Sequence, residues 1–183
     1  GMGKSTAAKH FRALGIAVFD ADACVHDLTG PDGEALDAIE AEFPGTKSPF
    51  GLDRVKLGSY VFKNPKARKV LEHILHPLVW EKRNKWLQKQ RRQRQPLVVL
   101  DIPLLFETGA DKLCDFIAVV SAPARLQRQR VLSRPHMSEE KFEGILAAQL
   151  DDALKRKKAD FIIHSGLSFI QSLDDIRKII QHI

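Results

Sequence analysis

Apolar residues along this chain fall into two recurring signatures, solid blocks of four or five and stripes at helical spacing. Ala7, Ala8, Phe11 and Leu14 form the first stripe, behind Gly3-Lys4-Ser5-Thr6, and Gly15 is placed to end that helix. Residues 16–19 are a solid apolar block of strand length, closed by Asp20-Ala21-Asp22. A short helix is expected next, then a turn at Gly30-Pro31-Asp32-Gly33. Leu36, Ile39 and Phe43 mark the face of another helix, whereas 44–58 shows little periodicity and reads as loop. Pro65 opens a helix running to Leu75. His76-Pro77 is expected to break or kink it, because proline disfavours the helical conformation at the residue before it. A charged helix follows over 78–95.

The blocks at 97–100, 116–120 and 160–164 read as further buried strands. Helices are expected at 124–133 and 138–150, the second capped by Ser138 with Glu139 and Glu140 in its first turn. An amphipathic helix over 167–183 closes the chain. Short apolar strands alternating with helices predict an α/β domain whose parallel sheet is covered on both faces.

Composition narrows this little. A length of 183 residues suits one domain with a substantial core, and 44% apolar against 28% charged residues excludes a largely disordered chain. No apolar run approaches the roughly 18 residues needed to span a bilayer, and no charged segment followed by an apolar core opens the chain. A cytoplasmic location without a membrane partner is therefore expected. Cys24 and Cys114 have no metal-ligand spacing and read as reduced thiols.

Charge changes the picture more. The formal net charge is +6, yet 82–94 alone carries seven cations (Lys82, Arg83, Lys85, Lys89, Arg91, Arg92, Arg94) and no acid, so the remainder is close to neutral. Such a run can be a nucleic-acid footprint or one solvated helix face. Trp86 and Leu87 supply an inner face for the second reading, and no nucleic-acid partner is expected.

In a parallel α/β sheet, ligands bind beyond the carboxyl ends of the strands. Three features fall there: the loop Gly1-Met2-Gly3-Lys4-Ser5-Thr6, the acids Asp20 and Asp22, and Asp101. Gly-x-Gly-Lys-Ser at the start of a helix matches the back half of a phosphate-binding P-loop. Glycines let backbone N–H groups close on phosphate oxygens, and the helix N-terminus favours the anion. Lys4 would neutralise the β/γ-phosphates, and the Ser5 hydroxyl would ligate Mg²⁺. The first glycine of the full motif, and the strand before it, are expected upstream of residue 1. Asp101 could hold Mg²⁺ through water or cap the turn at Pro103. Asp20 reads as a cap for the helix after it. His10, His26, His73, His136, His164 and His182 show no ligand spacing and read as structural or exposed.

Beyond the P-loop, the ordered series Leu14-Gly15-Ile16 to Asp20-Ala21-Asp22, His76-Pro77, and Asp101-Ile102-Pro103-Leu104-Leu105-Phe106-Glu107 resembles the dephospho-CoA kinase family. Arg130-Val131-x-x-Arg134, Ile145-Leu146-Ala147-Ala148-Gln149 and Ala159-Asp160-x-x-Ile163 continue the match across essentially the whole chain. The resemblance implies a P-loop kinase-type three-layer sandwich: a core of 1–33, 96–122 and 159–183, a helical acceptor-binding insertion over 34–95, and a lid over 123–158. It implies transfer of the ATP γ-phosphoryl group to the ribose 3′-hydroxyl of dephospho-CoA, with Mg²⁺. Another small-molecule P-loop kinase is the neighbouring alternative.

Carried over by motif, residues 1–6 hold the ATP phosphates, Asp22 stands at the catalytic base, Arg134 at the lid arginine, and His76 borders the acceptor site. The sequence departs from the family pattern at Pro135, where an acid is common after the lid arginine. It departs again at His164-Ser165-Gly166, where an Asn-containing turn is usual.

Overall fold

A computed structural model describes every residue except Lys63 and His136; His136, among the histidines above, therefore lies outside the described residues. In chain order the elements are α1 (Lys4–Ala13), β1 (Ala17–Asp20), α2 (Ala21–Leu28), α3 (Leu36–Glu42), β2 (Lys47–Ser48), β3 (Gly51–Leu52), α4 (Arg54–Val61) and α5 (Pro65–Arg92). Then come β4 (Val98–Asp101), a 3₁₀ turn at Ala110–Leu113, β5 (Ala118–Ser121), α6 (Ala124–Leu132), α7 (Glu139–Ala147), α8 (Asp152–Lys158), β6 (Phe161–His164) and α9 (Phe169–His182).

The four apolar blocks all become strands, each starting one or two residues later than its block. Among the described residues β1 pairs with β4, β5 with β6, and the short β2 with β3. The β5–β6 pair is parallel, with Ala118 opposite Phe161 and Ser121 opposite His164. Parallel strands need a long crossover, and α6, α7 and α8 provide it.

The chain divides into two compact units, one of Gly1–Val18 with Asp101–Ile183 and one of Phe19–Leu100. In the first, the predicted stripe of α1 buries Ala7, Ala8 and Phe11. The closing helix α9 buries Ile176 and Ile179, and Ile163 of β6 and Val119 of β5 are equally enclosed.

The second unit has its own core of Leu28, Ala35, Ile39, Phe43 and Leu57. Leu71, Ile74, Leu75, Leu78 and Val79 of α5 pack on it from both sides of Pro77. This explains the main departure from expectation: α5 is one 28-residue helix with Pro77 inside, not two helices. An interior proline costs about 3 kcal/mol. Burying a single large apolar side chain contributes about 1.5–3 kcal/mol, so the continuous apolar stripe outweighs it.

The expected loop at 44–58 holds structure too. It contains the β2–β3 hairpin, with Lys47 opposite Leu52, and most of α4, whose N-cap Asp53 accepts hydrogen bonds from the N–H groups of Val55 and Lys56. The basic run occupies the last turns of α5 and the residues just after it. Trp86 packs on Phe19 with ring centroids 5.6 Å apart, Lys82 pairs with Glu34 and Lys85 with Glu81, and the remaining cations but Arg83 are exposed.

Candidate active site

The loop at residues 1–6 turns into α1 through Gly3, whose φ of +91° lies in the left-handed region that favours glycine. No side chain caps α1, and no acid lies in its first turn. The helical ladder begins with Thr6 and Ala7, both donating to Gly3 O at 3.0 and 3.1 Å. The amides of Lys4 and Ser5 therefore precede the ladder at the positive end of the helix dipole. That is the arrangement that receives an anion.

Neighbouring elements hold the loop closely. A Cβ at Gly1 would lie 2.5 Å from Val131 Cγ2 and 2.8 Å from Gln127 O, both on α6. At Gly3 it would lie 2.9 Å from Ser165 Cβ and Oγ. Both glycines are thus required by close approach, in addition to the backbone angle at Gly3.

Asp101 ends β4 and is 7% exposed, and its Oδ1 accepts a hydrogen bond from Lys4 Nζ at 2.7 Å. This side chain was expected either at Mg²⁺ or as a cap for the Pro103 turn; here it carries the P-loop lysine. Three residues on, Leu104 adopts φ +52°, a strained value for a leucine.

The arginines of 125–134 have separate tasks. Arg128 pairs with Glu139 at 2.5 Å, joining α6 to α7. Arg130 donates from Nη2 to Ser165 O at 2.8 Å and from Nη1 to Ser165 Oγ at 3.3 Å. Arg134 is exposed. Arg130 and Arg134 both lie close enough to residue 1 to raise the positive potential at the loop.

Asp22 and His76 belong to the Phe19–Leu100 unit. Asp20 accepts from Ala23 N at 3.0 Å and caps α2, as expected. Asp22 stands exposed in the first turn of α2. His76 is exposed on α5 and stacks on Trp80, with centroids 6.2 Å apart and planes 21° from parallel. Cys24 and Cys114 are unbridged.

Sequence reasoning missed two supports. Ser165 sits against the loop through its contacts with Met2, Ser121 and Arg130. Glu107 accepts from Leu150 N at 2.7 Å and pairs with Lys155 at 2.9 Å, tying the segment after β4 to α8. Burial opposes its ionisation, but the bonds from Lys155 and Leu150 outweigh burial and hold its carboxyl below the ordinary range.

Residues 1–169 match the family described as CoaE, dephospho-CoA kinase. A dephospho-CoA kinase of Novosphingobium aromaticivorans is 49% identical over 183 residues, covering 100% of this chain and 90% of the relative. That of Bradyrhizobium diazoefficiens is 48% identical over 183 residues, covering 100% and 89%. A crystal structure of a Thermus thermophilus protein superimposes with a TM-score of 0.83 at 31% identity, covering 99% of this chain and 91% of that one. The dephospho-CoA kinase of Campylobacter jejuni superimposes with a TM-score of 0.65 at 29% identity, covering 100% and 92%.

Proposed function

The chain belongs to the dephospho-CoA kinase family, and from that premise we propose how its own residues carry out ATP-dependent phosphorylation of dephospho-CoA. The product is CoA, and the transferred group goes to the ribose 3′-hydroxyl. The observation that carries the reading is the uncapped start of α1, with Lys4 held ready by Asp101, in a chain whose family match runs from residue 1 to 169.

The amides of the 1–6 loop and the ammonium of Lys4 bind the β- and γ-phosphates. Lys4 then exchanges its Asp101 partner, wholly or in part, for phosphate oxygens. Arg134 adds positive charge at the transferred group. The 3′-oxygen of the acceptor attacks the γ-phosphorus, the bond from that phosphorus to the β-phosphate oxygen breaks, and ADP leaves. Asp22 orients the hydroxyl and takes its proton. His76, stacked on Trp80, borders the acceptor within the helical 34–95 segment, and 123–158 closes as a lid.

Phosphoryl transfer depends on positioning and charge neutralisation, and this residue set supplies both. Mg²⁺ fits the donors present. The Ser5 hydroxyl and the Asp101 carboxylate are hard oxygen ligands, which suits an ion that keeps several waters and is bound together with substrate phosphates. Ser5 would ligate it and Asp101 would hold it through water, and when bound it neutralises charge on the phosphate oxygens.

The test is ADP release by the protein with ATP, Mg²⁺ and a panel of acceptors. Release is expected with dephospho-CoA and to fall to background with nucleoside monophosphates. Equal or greater release with a nucleoside monophosphate would move the assignment to another P-loop kinase activity.

A further inference from the structure

We infer that Ser165, seated by Arg130, is a positioning residue that sets the orientation of the Met2–Gly3 peptide in the phosphate loop. The inference rests on the reading of that loop as the ATP phosphate site.

Three observations converge on this side chain. Ser165 Oγ donates a short hydrogen bond to Met2 O. Ser165 N donates to Ser121 O at 2.9 Å, the last bond of the parallel β5–β6 pairing. Arg130 grips the same residue twice, at its carbonyl and its hydroxyl. The serine is therefore fixed by a strand on one side and by α6 on the other before it touches the loop.

The consequence follows from peptide geometry. Met2–Gly3 is a trans peptide, so its C=O and N–H point in opposite directions. Holding Met2 O against Ser165 turns the Gly3 N–H away from Ser165. Gly3 needs its left-handed φ of +91° to turn from this peptide into α1. The same contact leaves no room for a side chain, since a Cβ at Gly3 would come within 2.9 Å of Ser165. A peptide flip at Met2–Gly3 would replace this donor by a carbonyl oxygen facing the phosphates, a repulsive contact for an anion. Ser165 and Arg130 make that flip unfavourable in advance of binding, and such pre-ordering strengthens binding by removing its cost.

The role predicts a specific split. Ser165→Ala removes the hydroxyl while keeping the Arg130 bond to the residue-165 carbonyl. It is expected to raise both the dissociation constant for ADP and the KM for ATP by about 5- to 10-fold, the scale of one hydrogen bond. The KM for dephospho-CoA should stay at its wild-type value. Ser165→Thr, which keeps a hydroxyl, should recover part of the nucleotide affinity.

Arg130→Gln guards against misfolding of the first variant and should weaken nucleotide binding as well. Combined with Ser165→Ala, it should cost less than the sum of the two, because Arg130 acts through Ser165. Wild-type nucleotide affinity in Ser165→Ala would overturn the inference. Additive effects in the double variant would overturn Arg130's part in it. If the wild-type protein itself binds neither ADP nor ATP by calorimetry, the reading of the loop falls, and this inference with it.

Discussion

Asp22→Asn keeps the shape of the side chain and removes its capacity to take a proton, so kcat should fall by about 10²–10⁴-fold with ATP affinity unchanged. Steady-state kinetics beside nucleotide titration measures both. An unchanged kcat would remove Asp22 from the base role. Lys4→Ala acts differently, because it also leaves the buried Asp101 carboxylate without its ammonium. ATP binding and turnover should both collapse, with near-wild-type circular dichroism.

Glu107 makes a pH-dependent prediction. Burial works against its charge, and the bonds from Lys155 and Leu150 hold its folded-state pKa below the ordinary value. A carboxylate depressed on folding contributes stability above its ordinary range, near pH 4.3, and loses it as the pH falls through the folded value. Glu107→Gln should thus lower stability by about 1–3 kcal/mol at neutral pH. The difference from wild type should shrink in thermal melts taken at progressively lower pH. A constant difference down to strong acid would contradict the ion-pair account. At this scale the Asp20 cap was legible in the sequence, whereas the pairing of Asp101 with Lys4 was not. Ser165 and Glu107 were not, since their partners are brought to them only by the β5–β6 pairing and by α8.

Elements with a strong apolar signature were readable and weakly patterned ones were not. The four strands and helices α1, α3 and α9 follow apolar blocks or stripes, and α7 follows its Ser138 cap. Helix α8 buries no residue and carries four cations in its last turn, so it offers no stripe. Helix α4 buries only Leu57 and is held by its Asp53 cap. The strands of the β2–β3 hairpin are two residues each, too short for alternation to register. Local breaking at Pro77 was overridden by packing that only the fold reveals.

The second core should accordingly be sensitive at its centre. Ile39 is fully buried, and Ile39→Ala should cost about 2–5 kcal/mol in denaturant unfolding. At the start of α5, Asn64 accepts from Lys66 N and Ala67 N at 3.1 and 3.2 Å, so Asn64→Ala should cost about 1 kcal/mol. A loss at Ile39 below about 0.5 kcal/mol, the usual range for surface changes, would mean that the unit tolerates loss of its core.

For the whole molecule, the α/β class and the order of motifs were legible because strands and helices alternate and the glycines, acids and lysine fall at their junctions. Which strand pairs with which was not, since apolar blocks do not say which neighbours they meet. The basic run reads as a helix face in the structure as well, with Trp86 on Phe19 and two of its lysines engaged by acids.

The central claim is that this chain moves the γ-phosphoryl group of ATP to one hydroxyl of dephospho-CoA. The most direct measurement is phosphorus NMR of the complete reaction mixture, taken alongside the amount of ADP formed. The account predicts one new phosphomonoester on the ribose 3′ carbon for every ADP released. ADP accumulating with inorganic phosphate alone, or with the new ester on a different acceptor position, would contradict it.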